Sequence, residues 1–213
     1  MIVALFLAAA AAQPVRTAVD AERQFAKDAQ KIGQWTAFRK WAEHDAVVFT
    51  PQAAWARDVL PKNDPPKAIS WRPAHSYVSC DGRIAVNTGP WWDQAGKPGG
   101  YFTTVWQQAK HDWHWVYDGG GPQEGPLPTA TTAQVHRATC GGRPKGAPIA
   151  PPPALTPKQA RTTPEDNGRG QSADRTLGWD WKVDKAGIRT LRVFQWKGSR
   201  YVEVLHNRVP PPK

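Results

Sequence analysis

Between residues 69 and 118 apolar and polar side chains alternate with a period of two, and the alternation is cut at regular intervals by turn chemistry. The pattern predicts four β-strands, Ile69–Cys80, Arg83–Trp92, Gly100–Lys110 and Trp113–Asp118, separated by Asp81-Gly82, residues 93–99 and His111-Asp112. Asp-Gly between two apolar runs is a strong hairpin signal, because both residues tolerate the positive φ of a tight turn. In the last strand Trp113, Trp115 and Tyr117 share one parity and His114 and Val116 the other. Phe102, Thr104 and Trp106 alternate in the same way with Tyr101, Thr103 and Val105. This is the signature of an antiparallel meander with one face on a core.

Upstream the period lengthens. Ala21, Phe25, Ala29 and Ile32 recur every three to four residues and predict a helix over Thr17–Ile32, with Thr17 as cap, Asp20 completing a capping box and Gly33 as stop. A second, shorter helix is predicted from Gln34 to about Glu43, then a short strand Ala46–Thr50, then a third short helix within Gln52–Leu60. Past Asp118 the pattern is lost. Residues 119–174 are rich in Gly, Pro, Ala and Thr and read as an excursion, with Gln134–Ala138 and Pro157–Arg161 as sites for a helical turn. Order returns in three strands, Leu177–Val183, Ile188–Trp196 and Arg200–His206. Three strands with one apolar face cannot hide it alone, so they must pack on the first sheet or extend it.

Composition and the N-terminus add four facts. Twelve tryptophans predict a core or cleft built on indoles, each needing a partner for its N–H when buried. The formal charge of +10 is spread: +2 over residues 14–120 (13 Lys/Arg, 11 Asp/Glu), +3 over 121–175 (7 and 4) and +5 over 176–213 (8 and 3). No basic run, helix-turn-helix pattern or metal-finger spacing accompanies it, which argues against nucleic-acid binding. Residues 1–13 form a short apolar stretch ending in alanines that reads as a secretory signal, although no Lys or Arg precedes it. Export would make the mature chain periplasmic or secreted, with no membrane association once the signal is removed. Cys80 and Cys140 would then meet an oxidising compartment; they read either as one disulfide or as two separate buried thiols.

Several segments carry a resemblance. Ala21–Gly33 followed by Gln34-Trp35, His44-Asp45-Ala46-Val47-Val48-Phe49, Ser79–Val86, Gly100–Trp106 and Trp113–Asp118, in that order, resemble the nuclear transport factor 2-like superfamily, also called SnoaL-like or ketosteroid-isomerase-like, and its exported bacterial members in particular. The resemblance covers about residues 18–120. It implies an α+β cone, with N-terminal helices packed on a curved antiparallel sheet; the C-terminal three-strand extension departs from the family's minimal pattern. The predicted organisation is a signal peptide at 1–13, the cone domain at 14–120, a Pro/Gly-rich linker at 121–175 and the β extension at 176–207. The resemblance also implies a pocket between sheet and helices, and a homodimer through the open sheet face. It is weak for activity, since one fold hosts many functions.

Enzymes of that family place an Asp or His base opposite a donor that stabilises an enolate, and such chemistry needs a group poised near neutral pH. The candidate acids and bases are His44, Asp45, His75, His114 and Asp118; the candidate donors are Tyr77, Tyr101, Trp91 and the Thr103-Thr104 pair. His75 and Tyr77 share strand parity with Trp71, and if that face lines the cone they form an acid–base pair in the pocket; otherwise His75 is a solvent-accessible strand histidine. Asp45 and Asp118 read more simply as turn-bonding residues. No metal-ligand spacing, phosphate-binding glycine loop or nucleophile elbow is present in the sequence, and no cofactor is expected. The leading expectation is a small, partly apolar ligand held by Trp71, Trp91, Tyr101 and Thr103. The alternatives are an isomerase, hydratase or lyase using His75 or Asp45 with Tyr77 or Tyr101, and an envelope interaction protein whose basic C-terminal strands meet an anionic partner.

Overall fold

Thr17 opens the first helix as its spacing predicts: its Oγ1 accepts the Asp20 N–H and the Asp20 carboxylate accepts the Thr17 N–H, both at 3.1 Å. The computed structural model describes residues 15–122, 128, 130–142, 144 and 166–211. The predicted signal at 1–13 and the helical turn at Pro157–Arg161 lie outside the described residues. Helix α1 (Ala18–Ile32) ends at Gly33 and α2 (Gln34–Trp41) follows at once. No residue at the start of α2 caps it. Asp64 does so from the later loop, accepting the N–H groups of Trp35 and Thr36 at 2.5 and 3.0 Å and the Thr36 hydroxyl at 2.6 Å.

The strands depart from expectation in places. β1 (Ala42–Phe49) begins earlier than predicted, and the stretch read as a third helix divides into β2 (Ala53–Trp55) and α3 (Ala56–Val59). The strand predicted at Ile69–Cys80 is two, β3 (Ser70–Trp71) and β4 (His75–Val78), with Pro73 in the gap, where a residue without an N–H cannot continue a ladder. β5 (Ile84–Trp92), β6 (Pro98–Ala109) and β7 (Asp112–Gly121) form the expected meander. Gln134–Ala138, read as a helical turn, holds instead β8 (Gln134–Arg137). The sheet order is β2-β1-β7-β6-β5-β4-β8, with β3 on β5. β1 runs parallel to β7 and β8 parallel to β4, so the sheet is mixed rather than wholly antiparallel.

The C-terminal extension has four strands rather than three: β9 (Asn167–Gln171), β10 (Leu177–Val183), β11 (Arg189–Trp196) and β12 (Tyr201–Val209), in the order β12-β11-β10-β9. β9 escapes an apolar-pattern search because its inward positions are glycines. Gly168 and Gly170 pair with Trp181 and Trp179, and the indoles cover the space that side chains would fill.

The molecule is therefore three-layered, and the first sheet is buried on both faces rather than one. On one face, helix residues including Ala21, Phe25 and Phe38 pack on Ala85, Phe102, Trp106 and Trp115. On the other, Val47, Val86, Val105 and Tyr117 pack on Leu177, Trp181, Leu191 and Val193 of the second sheet. The face through which the resemblance implies dimerisation is thus occupied by the chain's own C-terminal strands. The predicted common face of Trp113, Trp115 and Tyr117 is split by a bulge: Val105 pairs with Tyr117 but Trp106 with Trp115, leaving Val116 over. Trp115 stays on the helix face, while Tyr117 turns toward the second sheet.

At the centre of the helix-side core lies a carboxyl. Glu22, fully buried on α1, accepts the Trp71 indole N–H at 2.8 Å, the Trp106 indole N–H at 2.6 Å and the Asn87 amide at 3.2 Å. Burial pushes its pKa up to about 7 against these donors. Phe25, one helical turn on, meets Phe38 and Trp71 edge-on with ring centroids 4.8 Å apart. Asp28 serves the Trp41 indole at 2.9 Å, whereas the buried N–H groups of Trp113 and Trp115 have no acceptor among the described residues.

Cys80 and Cys140 form a disulfide, which settles the alternative left open by the sequence and ties β8 to the end of β4. Replacing both by Ser reopens a crosslink spanning 60 residues, and chain-entropy arguments put the cost at about 2–4 kcal/mol; denaturant unfolding measures it. Glu22→Ala leaves three buried N–H donors facing a void. It is expected to lower the unfolding free energy by about 3–5 kcal/mol, measured in the same way.

Candidate functional site

Where α2, the end of β1, the segment after α3 and the ends of β3, β5, β6 and β7 converge, they leave an open cavity of about 610 Å³. Its walls are largely apolar. Trp35 and Phe38 come from α2, Leu60 and Pro61 from the segment after α3, and Trp71 and Trp91 from the paired ends of β3 and β5. A volume in this range suits a drug-sized molecule. The polar side chains are few: Asp118 on β7, Tyr101 on β6, Arg189 from the second sheet, Gln34 on the helix side and Thr50 just after β1. The Gln34 side-chain oxygen is already used, accepting the Ile69 N–H at 3.1 Å.

Asp118 reaches the cavity because of the Val116 bulge, which resets the alternation one residue before Tyr117. It lies opposite Thr104, whose hydroxyl donates to it at 2.9 Å. Burial pushes the Asp118 carboxyl up to about 7, against the pull of the Thr104 hydroxyl and the Arg189 charge. The Gly119-Gly120-Gly121 run, expected to open a loop, continues β7 along the cavity wall. Gly120 is required there, since a Cβ would collide with the Tyr101 carbonyl oxygen of the neighbouring strand. Arg189 arrives from β11, where it shares parity with the buried Leu191 and Val193. Its guanidinium lies 4.2 Å from the Phe49 ring centroid and donates to the Gly120 carbonyl oxygen.

The residues singled out from sequence divide between this cavity and elsewhere. Trp71, Trp91 and Tyr101 line it. Thr103 is buried on the other side of β6, bonded to Thr88 at 3.2 Å and to Asn207 of β12 at 2.7 Å. His75 and Tyr77 do not line the cavity. The break at Pro73 shifts their parity relative to Trp71, and both lie against His136 of β8: His75 Nδ1 is 3.3 Å from His136 Nε2, and the Tyr77 and His136 rings stack at 5.0 Å. Asp45 and His44 sit on the exposed start of β1, bonded to each other at 2.8 Å, with Asp45 also held by Arg57 at 2.9 Å. His114 lines a separate pocket of about 340 Å³ with Lys40 and Trp113.

Two polar residues that matter here were passed over in the sequence, and each had a signal. Glu22 interrupts the apolar stripe of α1 as an acid on its core face. Arg189 is a cation in register with the inward side chains of β11. No cluster of His, Cys, Asp and Glu among the described residues could hold a metal ion. No helix among them is long and apolar enough to cross a membrane. No family model matches the chain, and no curated protein matches it.

The raised carboxyls predict a pH dependence of stability. Asp118 and Glu22 have folded values of about 7 against ordinary values of 3.8 and 4.5, so the folded state holds protons that the unfolded chain releases. Their stabilising contribution is full below the unfolded values and is lost as pH rises through about 7. The thermal midpoint is expected to fall between about pH 5 and about pH 8, and to fall less in Asp118→Asn, as differential scanning calorimetry would show.

Proposed function

We propose that the chain is an exported α+β protein of the nuclear transport factor 2-like cone type that binds a small, mostly apolar ligand in the Trp-walled cavity. The observation that carries this reading is the cavity itself: about 610 Å³, walled by Trp35, Phe38, Leu60, Trp71 and Trp91, with few polar side chains among its lining. The order of elements, with helices over one face of the meander, supports the cone. The disulfide supports an oxidising compartment. Phenylnaphthylamine, a neutral apolar fluorophore, is expected to bind at one saturable site and to quench indole emission. Leu60→Trp, which fills the cavity, is expected to weaken binding at least about tenfold, or about 1.4 kcal/mol. Binding that is absent, or unaffected by Leu60→Trp, overturns the reading.

A second reading, an isomerase or lyase, is favoured by one observation: the cavity holds a carboxyl, Asp118, tuned to about 7, where a general base works best. Asp118 rather than His75 or Asp45 is then the base, and Tyr101 the nearby phenol in the cavity lining. The test is conversion of a β,γ-unsaturated ketone to its conjugated isomer, followed by ultraviolet absorbance. Activity that falls at least about a hundredfold in Asp118→Asn supports the reading, and absence of conversion sinks it.

A further inference from the structure

We propose that the cavity's ligand carries a carboxylate and that Arg189, contributed by the C-terminal sheet, is its anchor. The inference rests on the reading of the cavity as a small-molecule site and names the chemistry of the ligand's polar end. Among the described residues that line the cavity there is one guanidinium, Arg189, and one carboxyl, Asp118. Arg189 is half-buried and donates to the Gly120 carbonyl oxygen, with Phe49 against one face of its guanidinium. Its Nε is buried with no hydrogen-bond partner, and none of the ion pairs among the described residues includes it, although its charge is felt by Asp118. A partly desolvated cation without an anion is costly, and the cost is removed when a ligand brings the anion. The planar edge of a guanidinium suits a carboxylate. A single positive charge among the described lining residues balances a monoanion and not a phosphate dianion.

Asp118 completes the subsite. Its proton, retained near neutral pH, makes it a hydrogen-bond donor to a carboxylate rather than a second anion. The groups that face or influence Asp118 are Arg189 on β11, Thr104 on β6, Tyr117 beside it on β7 and Glu22 on α1. Of these, only Arg189 is a permanent charge. Deprotonation of Asp118 would place an anion beside the ligand's own, so carboxylate affinity falls as pH rises through neutrality. The apolar walls at Trp35, Phe38, Leu60 and Trp91 then hold the hydrocarbon or aromatic body of the same molecule.

The test compares naphthoic acid with naphthamide, which share a ring system and differ in charge, by calorimetric titration of the full chain at about pH 6.5. Phenylnaphthylamine binding reports whether the cavity is intact in each variant. Naphthoate is expected to bind at least about tenfold more tightly than naphthamide, about 1.4 kcal/mol. Arg189→Gln is expected to erase that preference, and Arg189→Lys, which keeps the charge and loses the fork, to reduce it. In the parent protein naphthoate affinity is expected to drop between about pH 6 and about pH 8, and in Asp118→Asn to stay level. Equal affinities for acid and amide, or a preference untouched by Arg189→Gln, overturn the inference while phenylnaphthylamine binding leaves the cavity reading standing. If none of the three probes binds, both fall.

Discussion

The helix layer depends on a carboxyl that is fully buried. Glu22 collects two indole N–H groups and an amide from β3, β6 and β5, and so joins α1 to three strands through one side chain. A buried acid is costly, and here the cost is offset by the three hydrogen bonds its oxygens accept. The indoles of Trp71 and Trp106 bring large apolar surfaces into the helix-side cluster, and each carries one donor, which Glu22 accepts. Glu22 is what lets both be buried. It also fixes the orientation of Trp71, whose other side forms part of the cavity wall.

The cavity exists because two sheets and a helix layer meet imperfectly at one end. Where the strands are central, side chains from three layers interdigitate and leave no room. Toward the end of β7 the side chains shrink to Gly119, Gly120 and Gly121, and the backbone of β6 closes on them. The second sheet completes the rim there with Arg189, held by Phe49 and the Gly120 carbonyl. The C-terminal strands therefore do two things: they cover the apolar back of the meander and they supply the cavity's only permanent positive charge among the described residues.

Much of the chain's local structure was legible. Thr17 and Asp20 announced a capping box, Asp81-Gly82 a hairpin, and the alternation of Phe102, Thr104 and Trp106 a strand whose parity holds. Misreadings arose where a single residue altered the count. Pro73 broke a strand and moved His75 and Tyr77 off the face of Trp71, and Val116 bulged and moved Tyr117 away from Trp115. β8 reads as a helical turn and β9 as part of the excursion because neither carries an apolar alternation; β8 is held by pairing with β4, and β9 by the indoles over its glycines. Of the candidate ligand-binding residues, Trp71, Trp91 and Tyr101 share the cavity, since aromatic residues at strand ends have few other places to go, whereas Thr103 is drawn to Asn207 across the sheets.

By itself the sequence determined the first two helices, the strands of the meander and the three longer C-terminal strands, where most turns fall, and that many indoles had to be accommodated. These are local matters, governed by residue spacing and backbone preference within a few positions. Only the tertiary structure decided which strands run parallel, that both faces of the meander are covered, and that Glu22, Asp118 and Arg189 become the decisive polar groups. Each of those three takes its character from residues far away in the chain: Glu22 from Trp71 and Trp106, Asp118 from Thr104, Arg189 from Phe49 and Gly120. A charge has its chemistry set by the dielectric and the partners around it, and those are properties of the folded packing rather than of neighbours in sequence.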